Sequence, residues 1–291
     1  MKIKYFFDQD TSTFTYIVSD EETRKSAIID SVLNYNQFSG STSTASADQL
    51  VSYIKENNLK NEWILETHAH ADHLTAAQYL KSNIGGRVAI GKNIIKVAKF
   101  WSPIFNNNIK IDGSDFDKLL QDEEIIKIGN LDLKVMYTPG HTPACCCYLI
   151  KDNIFAGDTI FQSYLGTARC DFPGGSARDL YNSIQKIYSL PDDYKIYVGH
   201  DYPENNNLPN PLITIKEQKE KNTMLSQNIN EEQYIKARSK RDKNLPVPKL
   251  LLPSIQFNLR AGSFGEVESN KTKYIKIPID VLYQFPPKKH I

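Results

Sequence analysis

Five of the six histidines, His68, His70, His73, His141 and His200, directly follow short apolar runs that read as strands, and Asp72 and Asp158 stand among them. Neutral imidazole with carboxylate is a donor set suited to zinc, iron, nickel or manganese. Two histidines and one carboxylate with open positions is the facial arrangement used by non-haem Fe(II). On extended backbone His68 and His70, two apart, face the same side, and Asp72 and His73 then sit where a helix starts. Taken alone, a histidine or aspartate after a strand is ordinarily a turn or capping residue. Here a packed His-x-His-x-Asp-His is followed by Gly140-His141, Gly157-Asp158 and Gly199-His200, each glycine allowing a tight exit. That concentration points to a metal at a sheet edge.

The elements that must position these donors follow from periodicity. Residues 13–18 and 26–29 read as strands, and Ser46 with Gln49 forms a capping-box pattern opening a helix on Leu50, Val51 and Ile54. Residues 63–67 form an apolar strand, 74–80 a helix ended by Gly85-Gly86, and 87–90 another strand. Residues 131–135 alternate with period two and break at Thr138-Pro-Gly-His141. Residues 145–150 and 154–156 pair as a hairpin. Ser176 with Asp179 opens a helix whose Leu180, Ile184, Ile187 and Tyr188 share a face, and 195–198 is a strand. β pairs followed by alternating β and α predict an α/β fold in which helices cover sheets. From about Asn205 to Pro246 the chain is polar, with an exposed helix expected over 213–225, before 250–260 and 274–279 turn apolar and pack back. The division expected is 1–204 as a catalytic domain and 205–291 as an extension packing on that same domain.

Composition narrows the chemistry. In 291 residues, 35 basic against 34 acidic side chains leave no field to hold a polyanion, so nucleic acid or an anionic membrane surface is a poor partner and a small molecule a better one. No apolar run is long enough to span a bilayer, and Asp8 comes too early for a signal peptide's apolar region, which places the chain in the cytoplasm. Cys145, Cys146 and Cys147 are adjacent on one strand and read as reduced core residues. Cys170, between Arg169 and Asp171, reads as an ordinary loop residue, with a thiol activated by the arginine as the alternative.

His68-Ala-His-Ala-Asp-His73, Thr138-Pro-Gly-His141-Thr, Gly157-Asp158-Thr and Gly199-His200-Asp-Tyr202 resemble the metallo-β-lactamase superfamily, which implies an αββα sandwich with the metal at the sheet edges. Ala168-Arg-Cys-Asp-Phe172, Glu217-Gln-Lys219 and the run from Leu252 to Gly262 are similar to the persulfide dioxygenases (sulfur dioxygenases), a likeness extending from Phe6 to about Pro278.

The resemblance implies one Fe(II) per chain on His68, His141 and Asp158, the catalytic residues, oxidising glutathione persulfide with O2 and water to sulfite and glutathione in sulfide detoxification. His70, Asp72, His73 and His200 then orient those ligands, or hold a second metal bridged by Asp158 as in glyoxalase II-like thioester or lactone hydrolases. Sequence leaves these two uses open. Arg169, Tyr202 and Arg260 are the substrate-binding candidates, guanidinium forks suiting the carboxylates of glutathione. A homodimer is a family-level expectation. A catalytically silent metal-binding scaffold is a further alternative, with no physical reason to keep seven donors in register.

Overall fold

The computed structural model describes residues 1–203 and 207–280. Its first half runs β1 (Lys2–Asp8), β2 (Thr13–Ser19), β3 (Lys25–Ile29), β4 (Val32–Asn36), β5 (Ser41–Ser43), α1 (Ala45–Glu56), β6 (Lys60–Glu66), β7 (Leu74–Thr75), α2 (Ala77–Ile84), β8 (Arg87–Gly91), α3 (Ile94–Phe105) and β9 (Lys118–Leu120). The second runs β10 (Ile125–Ile128), β11 (Leu131–Tyr137), β12 (Cys146–Ile150), β13 (Asn153–Phe155), α4 (Ala177–Tyr188), β14 (Lys195–Tyr197), β15 (Leu212–Thr214), α5 (Ile215–Lys221), α6 (Glu231–Asp242) and α7 (Leu251–Asn258).

Period-two burial explains how these strands stack. Tyr16 and Val18 of β2, Ala27 and Ile29 of β3, Trp63 and Leu65 of β6 and Ala89 of β8 enter one core, while Ile17, Ile28, Ile64, Val88 and Ile90 enter another. A sheet apolar on both faces must be covered on both. Its order is β1-β2-β3-β6-β8-β9, with α1, α2, α3 and α7 closing the outer core. The inner core is shared with the second sheet, β10-β11-β12-β13-β14-β15, and takes in Leu180, Ile184 and Ile187 of α4 and Tyr234 of α6. The result is an αββα sandwich forming a single domain. Two buried tyrosines pin the sheets together: Tyr16 donates to the carbonyl of Val198 at 2.5 Å, and Tyr148 to that of Glu66 at 2.7 Å. Each phenol thus has the partner that burial demands.

Several local expectations need correcting. Helix α1 starts earlier than the Ser46 pattern suggests, with Thr44 as N-cap, because the Ser46 hydroxyl donates instead to Asp8 at 2.7 Å. Residues 74–75 are a short strand paired with β4, and the helix begins at Ala77. Residues 212–214 add strand β15 to the second sheet, so the expected helix over 213–225 shrinks to α5, with Ile213, Ile215, Met224 and Leu225 buried. In the C-terminal segment α7 is packed, yet Tyr274, Ile277 and Ile279 are exposed. The 204/205 division and the last eleven residues lie outside the described ones. Among the described residues no helix is long and apolar enough to cross a membrane.

Ile64 is fully buried in the outer core, whereas Phe38 is 93 % exposed at the β4–β5 turn. Ile64→Ala is therefore expected to lose about 2–5 kcal/mol of stability in urea denaturation, and Phe38→Ser to leave the midpoint where it is.

Candidate metal centre

All seven donors leave the ends of strands, and they come from both sheets. His68, His70, Asp72 and His73 follow β6 of the first; His141, Asp158 and His200 follow β11, β13 and β14 of the second. The sheets meet closely here. Gly157 has φ +47°, and a Cβ on it would lie 2.3 Å from the Thr67 hydroxyl, so only glycine lets Asp158 approach the His68 loop.

Six of the seven donors form two trios, and His200 lies between Asp72 of one and Asp158 of the other. One ligating atom from each of His68, His141 and Asp158 lies within 4.8 Å of the others, and the same holds for His70, Asp72 and His73. Asp158 faces both neighbourhoods. Its Oδ2 is 3.6 Å from His141 Nε2 and 3.9 Å from His68 Nε2, and its Oδ1 is 3.2 Å from His200 Nε2, which is itself 3.4 Å from Asp72.

The far nitrogen of each imidazole is held by an acceptor, which fixes its tautomer and aims its other nitrogen at the centre. His68 Nδ1 meets the Thr67 hydroxyl at 3.0 Å, which donates to Asp30 at 2.9 Å. His141 Nδ1 meets the Arg169 carbonyl at 2.7 Å, His73 Nδ1 the Leu74 carbonyl at 3.3 Å, and His200 Nδ1 the Ser12 carbonyl at 3.1 Å. His70 is reversed: its Nε2 lies 3.0 Å from Asp30 and 3.3 Å from Glu66, leaving Nδ1 inward. Three inward nitrogens, His68 Nε2, His70 Nδ1 and His73 Nε2, are buried without a hydrogen-bond partner, and Asp72 Oδ2 and Asp158 Oδ1 share only the ion-pair contact of His200. Orphaned lone pairs at such density are costly, and a bound cation is what satisfies them.

Burial, helped by the charge of His70, holds His68 well below the usual imidazole range, and the same causes push His73 down to about 4. Burial also lowers His141. Burial would depress His70 too, but Asp30 and Glu66 outweigh it and hold it well above the usual range. At His200 burial is opposed by Tyr202, Asp158 and Asp72, with a raised result. Burial would raise the Asp158 carboxyl, yet His200, His68 and His141 keep it well below the usual range. The cluster without metal thus shares a few protons among many bases, and a cation entering it displaces them.

His141, Asp158, Asp72 and His200 open on a cavity of about 290 Å³ walled by Phe161 and Phe172, among others. Arg169 also lines it, but its guanidinium is forked onto Asp171 at 2.7 Å and donates to the Pro246 carbonyl. Tyr202 stacks on His200 with ring centres 6.1 Å apart and remains half-exposed. Arg260 lies elsewhere, in a separate cavity with Asp115, Phe264 and Lys276. Burial, reinforced by Asp242, raises the Cys170 thiol despite Arg238, so no activated thiolate is formed. Cys145 and Cys147 are buried and pushed up to about 12 and about 11, as befits core residues.

Asp30, Glu66, Thr67 and Asn258 went unread as site residues. The only advance signal for Asp30 is an acid closing a strand, and for Asn258 its place in the run ending at Gly262.

A model of the metallo-beta-lactamase superfamily matches residues 38–200. The chain is 48 % identical over 287 residues to "Glyoxylase B2" of Dictyostelium discoideum, covering 97 % of this chain and 98 % of that one. It is 30 % identical over 263 residues to the mitochondrial persulfide dioxygenase ETHE1 of Homo sapiens, covering 89 % and 88 %. The crystal structure of ETHE1 from Myxococcus xanthus superposes with a TM-score of 0.73 at 28 % identity, covering 90 % of this chain and 100 % of that one.

The depressed His73 makes a pH prediction. Its folded value of about 4 lies below the ordinary imidazole value of 6.5, so the unfolded chain binds the proton more readily. Its contribution to stability is whole above pH 6.5 and is lost as pH falls toward 4, at no more than about 1.4 kcal/mol per pH unit. Denaturant titrations of metal-free protein across that window should show a shallower decline for His73→Gln than for wild type.

Proposed function

The chain belongs to the metallo-β-lactamase superfamily, and from that premise we propose that it is a persulfide dioxygenase holding one Fe(II) on His68, His141 and Asp158. The observation that carries this reading is the buried trio of two imidazoles and one carboxylate, clustered within 4.8 Å and opening on the cavity through His141 and Asp158. Likeness to the human persulfide dioxygenase supports it. The overall change would be glutathione persulfide, O2 and water giving glutathione, sulfite and two protons.

Iron in such a three-donor site supplies redox capacity and open coordination positions for oxygen chemistry at sulfur. The protein's own groups do the rest. Thr67, backed by Asp30, and the Arg169 carbonyl set the planes of His68 and His141. His70, Asp72, His73 and His200 surround the trio, and Asp30 and Glu66 anchor His70 away from it. Phe161, Leu165 and Phe172 line the cavity with apolar surface and limit water near the reacting sulfur. Arg241 also lines this cavity, and among the described residues it has no carboxylate partner, which suits it to a carboxylate of glutathione. Tyr202 is placed at the mouth beside His200 to meet the peptide portion. Arg260, in its separate cavity, has no part in this subsite. The segment from 205 onward is read as an extension of the catalytic domain, and the assembly as a homodimer acting in the cytoplasm.

A second reading has an observation of its own. The trio His70, Asp72 and His73, with Asp158 facing both groups, suits two metals and a hydrolytic water, and the 48 % identical relative is named a glyoxylase. The two readings part on oxygen.

Protein purified anaerobically and loaded with Fe(II) is expected to consume O2 only when glutathione persulfide is added, with one iron per chain by metal analysis. Oxygen-independent hydrolysis of S-lactoylglutathione by a two-metal form, without persulfide-dependent uptake, would establish the hydrolase instead. Arg169→Ala should leave the iron content intact, because His141 is held by the Arg169 main-chain carbonyl. It should raise the persulfide KM, since Asp171 loses its neutralising partner beside an anionic substrate. An unchanged KM would remove Arg169 from the binding site.

A further inference from the structure

We propose that Asn258 is a positioning residue of the metal centre, making the C-terminal helix part of that centre rather than an appendage to it. The proposal rests on reading the seven donors as a metal site and not on which reaction that site runs. Asn258 ends α7 and is 3 % exposed. Its side-chain amide donates to the main-chain carbonyls of His70 and His73, both at 2.8 Å, and its Oδ1 accepts from the Thr75 main-chain N–H at 2.9 Å. Three main-chain groups of the donor loop are thus satisfied by one side chain 183 to 188 residues away in the sequence. His70 and His73 lie outside every helix and strand, so no regular ladder serves their carbonyls.

The geometry locks direction as well as distance. The two carbonyls bracket Asp72, and a planar amide reaching both fixes the curvature of the loop that aims His70, Asp72 and His73 inward. Helix α7 can act as an anchor because Leu251, Ile255 and Phe257 are buried in the outer core. Gln78 donating to the Ala261 carbonyl at 3.1 Å ties the next turn of chain to α2. Ligand orientation by such outer hydrogen bonds ordinarily governs metal affinity by about 10–100-fold.

The test uses Co(II), whose visible absorption reports ligand geometry without turnover. Metal-free full-length protein is titrated with Co(II) against a chelator, comparing wild type, Asn258→Asp and Ile255→Val. Asn258→Asp keeps the shape but sets a carboxylate oxygen against two carbonyl oxygens; Ile255→Val trims the packing of the same helix and leaves every hydrogen bond. Asn258→Asp is expected to weaken Co(II) binding about tenfold or more and to change the visible bands, while Ile255→Val lowers the melting temperature and leaves both unaltered. Should Asn258→Asp fail to fold, Asn258→Ala takes its place in the comparison. Wild-type affinity and spectrum in the Asn258 variant, or equal changes in Ile255→Val, would overturn the proposal. Failure of the wild type itself to bind Co(II) would instead bring down the reading of the site as a metal centre.

Discussion

A single buried carboxylate ties the first sheet to the donor loop. Asp30 closes β3 with φ +52°, a left-handed conformation that a non-glycine residue adopts at some cost. What offsets the cost is visible in its contacts: its carboxylate accepts from the Thr67 main-chain N–H at 2.8 Å, from the Thr67 hydroxyl and from His70. Charge-assisted hydrogen bonds of this kind are about twice as strong as neutral ones. Through Thr67 it sets His68, and directly it sets His70, so one acid orients an imidazole of each trio. Without it the loop leaving β6 would have no reason to turn both rings inward.

The donors are legible in the sequence because strand ends are where side chains converge, and five histidines in such places are too many to be turns. The sandwich is legible for a similar reason: alternation in 131–135 and the apolar runs at 26–29 and 63–67 each state how many faces are buried. What sequence hides is the tertiary choice among equally plausible partners. Ser46 has the spacing of a capping box, but Asp8 and Asn34 compete for its hydroxyl and prevail. Residues 212–214 are short and sit beside a helical run, so only the exposed edge of β14 reveals them as a strand. Arg260 and Asn258 stand two apart in one motif, but Leu259 between them keeps helical backbone, and residues two apart on a helical turn do not share a face. The amide consequently reaches the donor loop while the guanidinium swings into another cavity.

The same donors fit two proposed chemistries because of how charge is divided among them. Asp158 offers one oxygen to His68 and His141 and the other to the His200 side, so it can terminate one metal site or bridge two. The asymmetry lies in what stands behind each trio. Burial leaves His68 and His141 weakly basic, and the hydroxyl and carbonyl behind them carry no charge to oppose it. His70 is backed by two carboxylates, which outweigh its burial and hold its proton more tightly. Asp30 and Glu66 set His70 alone in the second trio, since His73 is backed by the Leu74 carbonyl and stays weakly basic.

That the centre straddles two sheets has a consequence for folding as well as for chemistry. Four donors belong to the first sheet and three to the second, so a bound cation would add a link between halves of the chain already joined at this edge by main-chain hydrogen bonds from Phe14 to Gly199 and from Cys146 to Thr67, by the two tyrosine hydroxyls and by close packing at Gly157. In the metal-free chain, three orphaned imidazole nitrogens, of His68, His70 and His73, oppose closure of that edge. Metal binding and closure of the sandwich are then one equilibrium, since a site absent from the unfolded chain returns its binding free energy as folding free energy. The brace from α7 enters the same account. By prepaying the ordering of residues 70–75, Asn258 lowers the entropy that metal binding must otherwise supply. A donor loop of alanines and histidines, with little apolar surface of its own to bury, depends on such borrowed rigidity to hold a metal.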